Sequence, residues 1–238
     1  MSASEKVIVA LDFPSLSAAE QIVKKVSSLV KIFKVGKELF TAAGPEAVRM
    51  VHAHKGRVFL DLKFHDIPNT VASACEAAAK LGVFMLNVHA SGGKTMMIHA
   101  VQAVHRTASE KKAHAPKVLG VTVLTSLTDN DLKEVGVSKK VKQQVPDLAA
   151  LAKSCGLDGV VASGQEIPLI RKACGKDFLI VTPGVRPTWA AHGDQKRVIT
   201  PREAVSAGAD YIVVGRPITQ HPQPLAAAEK ILKEIEDV

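Results

Sequence analysis

The feature that most constrains this chain is the regular alternation of short aliphatic runs with amphipathic segments of helical period. "KVIVALD" precedes "SLSAAEQIVKKVSSL", "IFKVGK" precedes "GPEAVRMVHAHK", "RVFLDLK" precedes "NTVASACEAAAKLG", and "FMLNVHA" precedes "GGKTMMIHAVQAVHRTASE". The second half continues with "KVLGVTVL" before "TDNDLKEVG" and "VPDLAALAKSCG", "DGVVASG" before "QEIPLIRKACG", "DFLIVTPGV" before a loop and "TPREAVSAGA", and "DYIVVGRPI" before "QPLAAAEKILKEIEDV". Apolar strands alternating with helices call for a parallel sheet covered by helices. Eight β/α units in 238 residues, with no linker or low-complexity tract, predict one (β/α)8 TIM-barrel domain over residues 1–238. A doubly wound open sheet is the alternative, but no Gly-rich dinucleotide fingerprint follows the first strand.

In such a barrel, inward positions at the C-terminal ends of the strands look into the functional site. The stretch "RVFLDLKFHDIPNT" then becomes informative. Val58, Leu60, Leu62 and Phe64 alternate on one face, so Phe59, Asp61, Lys63 and His65 share the inner one. The same parity turns Asp12 inward at the end of the first strand and Lys34 inward on the second. Two charges of each sign thus converge on three consecutive strands, with Asp66 just beyond. Buried charges are costly unless paired or used. A salt-bridge plug would be the structural explanation; four charges at the catalytic end favour a site. A lysine held between carboxylates keeps its proton despite burial. That makes it a poor Schiff-base nucleophile and a good stabiliser, and then protonator, of a developing anion.

A second constellation fits an anion. "VTPGVRP" carries Pro183, Gly184 and Arg186 after strand seven, and "VVGRPI" carries Gly215 and Arg216 after strand eight, where barrels build phosphate cradles from backbone N–H groups and an arginine fork. Between them the polar run "RPTWAAHGDQKRVIT", with Gly193 and Gln195, is expected to act as a lid that delivers Gln195 to a phosphate. His65 and His89, near the ends of strands three and four, could with Asp61 hold a cation, but the ammonium of Lys63 among them argues against a metal. His52 and His54, two apart on one helix, are expected to be solvated, and His99 and His105 read as helix residues without a role.

Composition narrows the class of partner. Lys and Arg exceed Asp and Glu by 31 − 23 = 8, yet Lys24-Lys25, Lys111-Lys112 and Lys139-Lys140 are scattered pairs and aromatics are 4% of the chain. That pattern predicts surface charge plus an anionic small ligand rather than a nucleic-acid track. Cys75, Cys155 and Cys174 show neither CxxC nor zinc spacing and read as reduced core thiols. The lead "MSASEKVIVALDF" has no basic or apolar targeting region, and no apolar run reaches spanning length. The expectation is a cytoplasmic protein with no membrane association.

"VALDF", "FKVGKELF", "DLKFHDIPNT", "VTVLTS", "VTPGVRP" and "VVGRPI" occur in the order found in the orotidine 5′-phosphate decarboxylase family, which the chain resembles over nearly its whole length in its monofunctional, bacterial-type form. The "DLKxHDIPNT" run is highly specific; metal-dependent phosphosugar relatives share only its Asp-x-Lys-x-x-Asp core. The resemblance implies decarboxylation of orotidine 5′-phosphate to UMP in de novo pyrimidine synthesis, by a homodimer that needs neither metal nor organic cofactor. It further implies that Lys63 protonates C6 within an array of Lys34, Asp61, Lys63 and Asp66, and that Asp66 and Thr70 reach into the partner's site. Asp12 and Lys34 would hold ribose hydroxyls, Thr125 and Ser126 would meet the pyrimidine, and Arg186, Gln195, Gly215 and Arg216 would hold the phosphate, beside Pro183. The competing readings are a related metal-dependent phosphosugar decarboxylase or epimerase and a basic, non-catalytic nucleic-acid-binding protein.

Overall fold

The computed structural model describes residues 2–190, 198–236 and 238. Eight parallel strands close into a barrel in sequence order: β1 Val7–Ala10, β2 Ile32–Gly36, β3 Arg57–Phe64, β4 Met85–His89, β5 Lys117–Val121, β6 Gly159–Val161, β7 Leu179–Thr182 and β8 Tyr211–Val214, with β8 returning to pair with β1. Helices follow each strand on the outside, which establishes the TIM barrel expected from the alternation. The strand parity is also as expected. Ile8, Ile32, Phe59, Met85, Leu119 and Val181 fill the barrel, whereas Val9, Phe33, Val58 and Leu60 pack outward under the helices.

Local chemistry accounts for the helices. Leu16–Val26 starts at Ser15, whose hydroxyl accepts the Ala18 N–H at 3.3 Å, and buries Ala19, Ile22, Val23 and Val26 on one stripe. Pro201–Ser206 starts with a capping box, in which Glu203 Oε2 accepts from the Thr200 N–H (2.9 Å) and hydroxyl (2.7 Å). At the N-terminal end of the strands, Phe84 and Tyr211 meet edge to face at 6.2 Å and Arg57 lies 4.4 Å over the Phe84 ring, which floors the barrel with aromatic surface.

All three cysteines are unpaired and buried; burial pushes the Cys75 thiol up to about 12. The histidines of the helix Glu46–Ala53 and its cap correct the sequence expectation, because neither is simply solvated. His54 Nε2 lies 3.0 Å from Glu20 Oε1, which ties this helix to Leu16–Val26, and burial lowers the pKa of the partly buried His52. Among the described residues no helix is long and apolar enough to cross a membrane.

Candidate active site

Four side chains alternate in sign across the C-terminal ends of β1 to β3. Lys34 Nζ lies 2.8 Å from Asp12 Oδ1 and 3.5 Å from Asp61 Oδ2, and Lys63 Nζ lies 2.6 Å from Asp61 Oδ1. Burial by itself depresses the Lys34 ammonium, but Asp61 and then Asp12 more than offset it, so its pKa stands above the ordinary lysine value. Room for this row depends on Gly36. A Cβ there would sit 2.9 Å from Lys34 Nζ and 3.0 Å from Asp12 Oδ1.

Lys63 reaches the row by a route that simple alternation does not describe. The β3–β4 register breaks between Leu60 and Phe64, and Lys63 takes a left-handed backbone with φ 54°. Its N–H is supplied with an acceptor by a side chain, Asn87 Oδ1 at 2.8 Å, while Asn87 Nδ2 donates to Asp61 Oδ1 at 2.7 Å. Asn87 was absent from the expected site. Its signal was its inward parity in "FMLNVHA", where a lone amide follows the buried Met85.

The row forms one side of a cavity of about 510 Å³ at the mouth of the barrel. Val121, Val123, Leu124, Val161 and Ala162 supply an apolar wall with Thr125 and Ser126 at its rim; Pro183, Gly184, Arg186, Gly215, Arg216 and Gln220 line the far end. Gly184 has φ 75°, a turn that an L side chain would strain. The bridge between Val185 and Ile199, with the Arg186 N–H donating to Ile199 O at 2.9 Å, then fixes the buried Arg186 beside the cavity. Gly215 precedes the short helix Arg216–Thr219, which carries Arg216 to the rim. Gln220 was also missed, since nothing in its own sequence context points to a strand end.

Asp66 and Thr70 do not line this cavity; both are exposed on the turn and helix after β3, where Asp66 Oδ1 accepts the Ile67 N–H at 2.7 Å. Ile67 between them is 67% exposed. Gln195 and Gly193 lie outside the described residues. His65 and His89 stack at 5.2 Å, and burial first, then the neighbouring His65, lower the pKa of His89 to about 4. Among the described residues no three His, Cys, Asp or Glu side chains come together to hold a metal ion. The lysine pairs are exposed, and Lys24 and Lys139 have their own acidic partners, Glu20 at 3.0 Å and Asp147 at 2.7 Å.

Comparison with known proteins agrees with this geometry. Residues 5–231 match the model of the orotidine 5′-phosphate decarboxylase / HUMPS family. The chain is 57% identical to orotidine 5′-phosphate decarboxylase of Moorella thermoacetica, with 100% of this chain and 95% of that protein aligned. It is 56% identical to the enzyme of that name from Geobacter sulfurreducens, over 98% of this chain and 97% of the relative. Among solved structures, orotidine 5′-phosphate decarboxylase from Lactobacillus acidophilus superposes with a TM-score of 0.85 at 39% identity, covering 97% of this chain and 99% of that one. With its barrel, its row of alternating charges and relatives aligned from end to end, this chain belongs to the orotidine 5′-phosphate decarboxylase / HUMPS family.

Proposed function

We propose that this chain is a carboxy-lyase that converts orotidine 5′-phosphate to UMP and carbon dioxide, the decarboxylation step of pyrimidine nucleotide synthesis. The observation that carries the reading is the row Asp12, Lys34, Asp61, Lys63 facing a separate cationic end, Arg186 and Arg216, across one cavity. A nucleoside monophosphate with a reactive ring carboxylate has this same separation of charges. Its phosphate suits Arg186, Arg216 and the backbone at Gly215, near Pro183, with Gln195 the remaining expected phosphate ligand. The ribose hydroxyls suit Asp12 and Lys34, and Thr125 and Ser126 at the rim of the apolar wall suit the pyrimidine edge.

The C6–carboxylate bond breaks with its electron pair left on C6, carbon dioxide departs, and the Lys63 ammonium faces the resulting carbanion. A fixed, partly desolvated ammonium stabilises that charge more than water would, because it needs no reorganisation as the charge develops. Lys63 then gives its proton to C6, which completes UMP, and takes another from solvent. Asp61, itself paired with Lys34, holds Lys63 in place, and phosphate binding at the far end supplies energy to orient the ring. The chemistry assigned here uses no metal and no organic cofactor.

The reading includes a two-fold homodimer. Asp66 and Thr70 are exposed and do not line their own cavity, beside the exposed Ile67, which supports their serving the partner's site. The three unpaired thiols suit a reducing compartment, and the cytoplasm is the proposed location. An ultraviolet assay of orotidine 5′-phosphate consumption, with and without EDTA, tests the function. Turnover that is unchanged by EDTA is expected. Loss with chelator would favour a metal-dependent phosphosugar enzyme, and no turnover at all would refute the decarboxylase reading.

A further inference from the structure

Resting on that reading, we infer that Asn87 is a positioning residue that locks Lys63 at both ends and so sets the geometry of proton delivery. Three hydrogen bonds join Lys63, Asn87 and Asp61 into a ring that the covalent length of Lys63 closes. The Lys63 N–H donates to Asn87 Oδ1 (2.8 Å), Asn87 Nδ2 donates to Asp61 Oδ1 (2.7 Å), and Lys63 Nζ donates to the same Asp61 oxygen (2.6 Å). The amide completes it by accepting from one neighbour through Oδ1 while donating to a carboxylate on the other side through Nδ2. Asn87 is fully buried on β4, directly above Met85, where an amide without both partners would be costly.

The ring answers a local problem. The register break between Leu60 and Phe64 takes Lys63 out of the β3–β4 ladder, and its backbone sits at φ 54°, a conformation that persists only when its surroundings enforce it. Asn87 supplies the acceptor the ladder no longer offers. It also shares one Asp61 oxygen with the lysine ammonium, so backbone and side chain of Lys63 are referred to one fixed point. The charged groups around position 87 are Asp61 and Lys63 from β3 and Lys34 of β2, paired with Asp61; His89, two residues along its own strand, lies in the field of His65, Lys37, Lys63 and Asp61, and the β5 neighbour is Leu119.

The test compares Asn87→Leu, which removes both hydrogen bonds while keeping the branching at Cγ, with Asn87→Asp, which keeps the acceptor and replaces the donor by a second carboxylate against Asp61. For both, kcat at neutral pH should fall on the order of 10²-fold, the scale of an ångström-sized misplacement. UMP affinity should change by less than about threefold, because none of the phosphate, ribose and pyrimidine contacts assigned above is made by Asn87 itself. The decisive readout is the pH profile. Two carboxylates in contact share a proton as pH falls, and the resulting O–H restores a donor toward Asp61, so Asn87→Asp should regain activity relative to wild type in acid while Asn87→Leu should not. Circular dichroism reports folding, and Asn87→Ala, which adds neither bulk nor charge, carries the kcat comparison if the other variants do not fold. A kcat within about threefold of wild type, or a loss in Asn87→Asp that is independent of pH, would overturn the inference. Failure of the wild-type enzyme to consume orotidine 5′-phosphate would instead overturn the functional reading on which it rests.

Discussion

Lys63 carries two separable burdens, the charge that the proposed reaction assigns to it and a backbone strain for its placement, and two truncations at the same position distinguish them. Lys63→Ala and Lys63→Gly both remove the ammonium that lies 2.6 Å from Asp61. Turnover should therefore drop in both by at least about 10² to 10³, the effect of losing one preorganised electrostatic donor, and further because the proton donor is lost as well. Their stabilities should differ. At φ 54° a residue with a Cβ pays about 1–2 kcal/mol that glycine does not. Glycine in turn gives back about 0.4–1 kcal/mol through the greater freedom of its unfolded chain. The difference leaves Lys63→Gly more stable than Lys63→Ala by about 1 kcal/mol, or about 2–4 °C in melting temperature for a domain of this size. Differential scanning calorimetry and the ultraviolet assay on the same preparations measure both effects. An alanine variant that melts at or above the glycine variant would refute strain at Lys63, and more than about a tenth of wild-type turnover in either would remove Lys63 from the chemistry.

Arg216→Ala should leave the melting temperature nearly unchanged, because the side chain stands at the exposed rim, but weaken UMP binding by about 1.5–3 kcal/mol as one charge-assisted hydrogen bond is lost. Equal affinity by calorimetry would move the phosphate elsewhere. With sites shared across the proposed dimer, mixing inactive Lys63→Ala and Asp66→Ala preparations and allowing subunit exchange should restore activity, since each heterodimer would have one site with both lesions and one with neither; a random mixture would recover about a quarter of wild-type sites. Heterodimers confirmed by mass spectrometry but inactive would mean that Asp66 serves its own barrel. His89 is half-buried with its pKa lowered to about 4, below the ordinary histidine value of about 6.5, so the unfolded chain takes up a proton in a window where the folded one does not. Its contribution to stability is present above pH 6.5 and should be lost as pH falls toward 4. Urea midpoints should fall less steeply across that window in His89→Gln, and parallel curves would show that His89 is not the group responsible.

The barrel and most of the residues that line the candidate site were legible in the sequence because parity along a strand is a property of bonded neighbours. Alternation of Cβ directions turns Asp12, Lys34 and Asp61 inward whatever surrounds them, and runs such as "VIVA" mark strands covered on both sides. The strand-end glycines and arginines, Gly184 with Arg186 and Gly215 with Arg216, were legible for the same reason, each pair lying within a few residues of a recognisable strand. What the tertiary structure decided depends on segments brought together by closure of the barrel. The aim of Lys63 follows from a register break against β4 and from the amide of Asn87, 24 residues away. The emptiness required at Gly36 follows from two side chains meeting over it, Lys34 and Asp12. The exposure of Asp66 and Thr70 and the pairing of His54 with Glu20, 34 residues distant, likewise have no local signature. Periodicity states which way a side chain points, but register and hydrogen-bond partners arise between strands and helices whose distance along the chain says nothing of their distance in space.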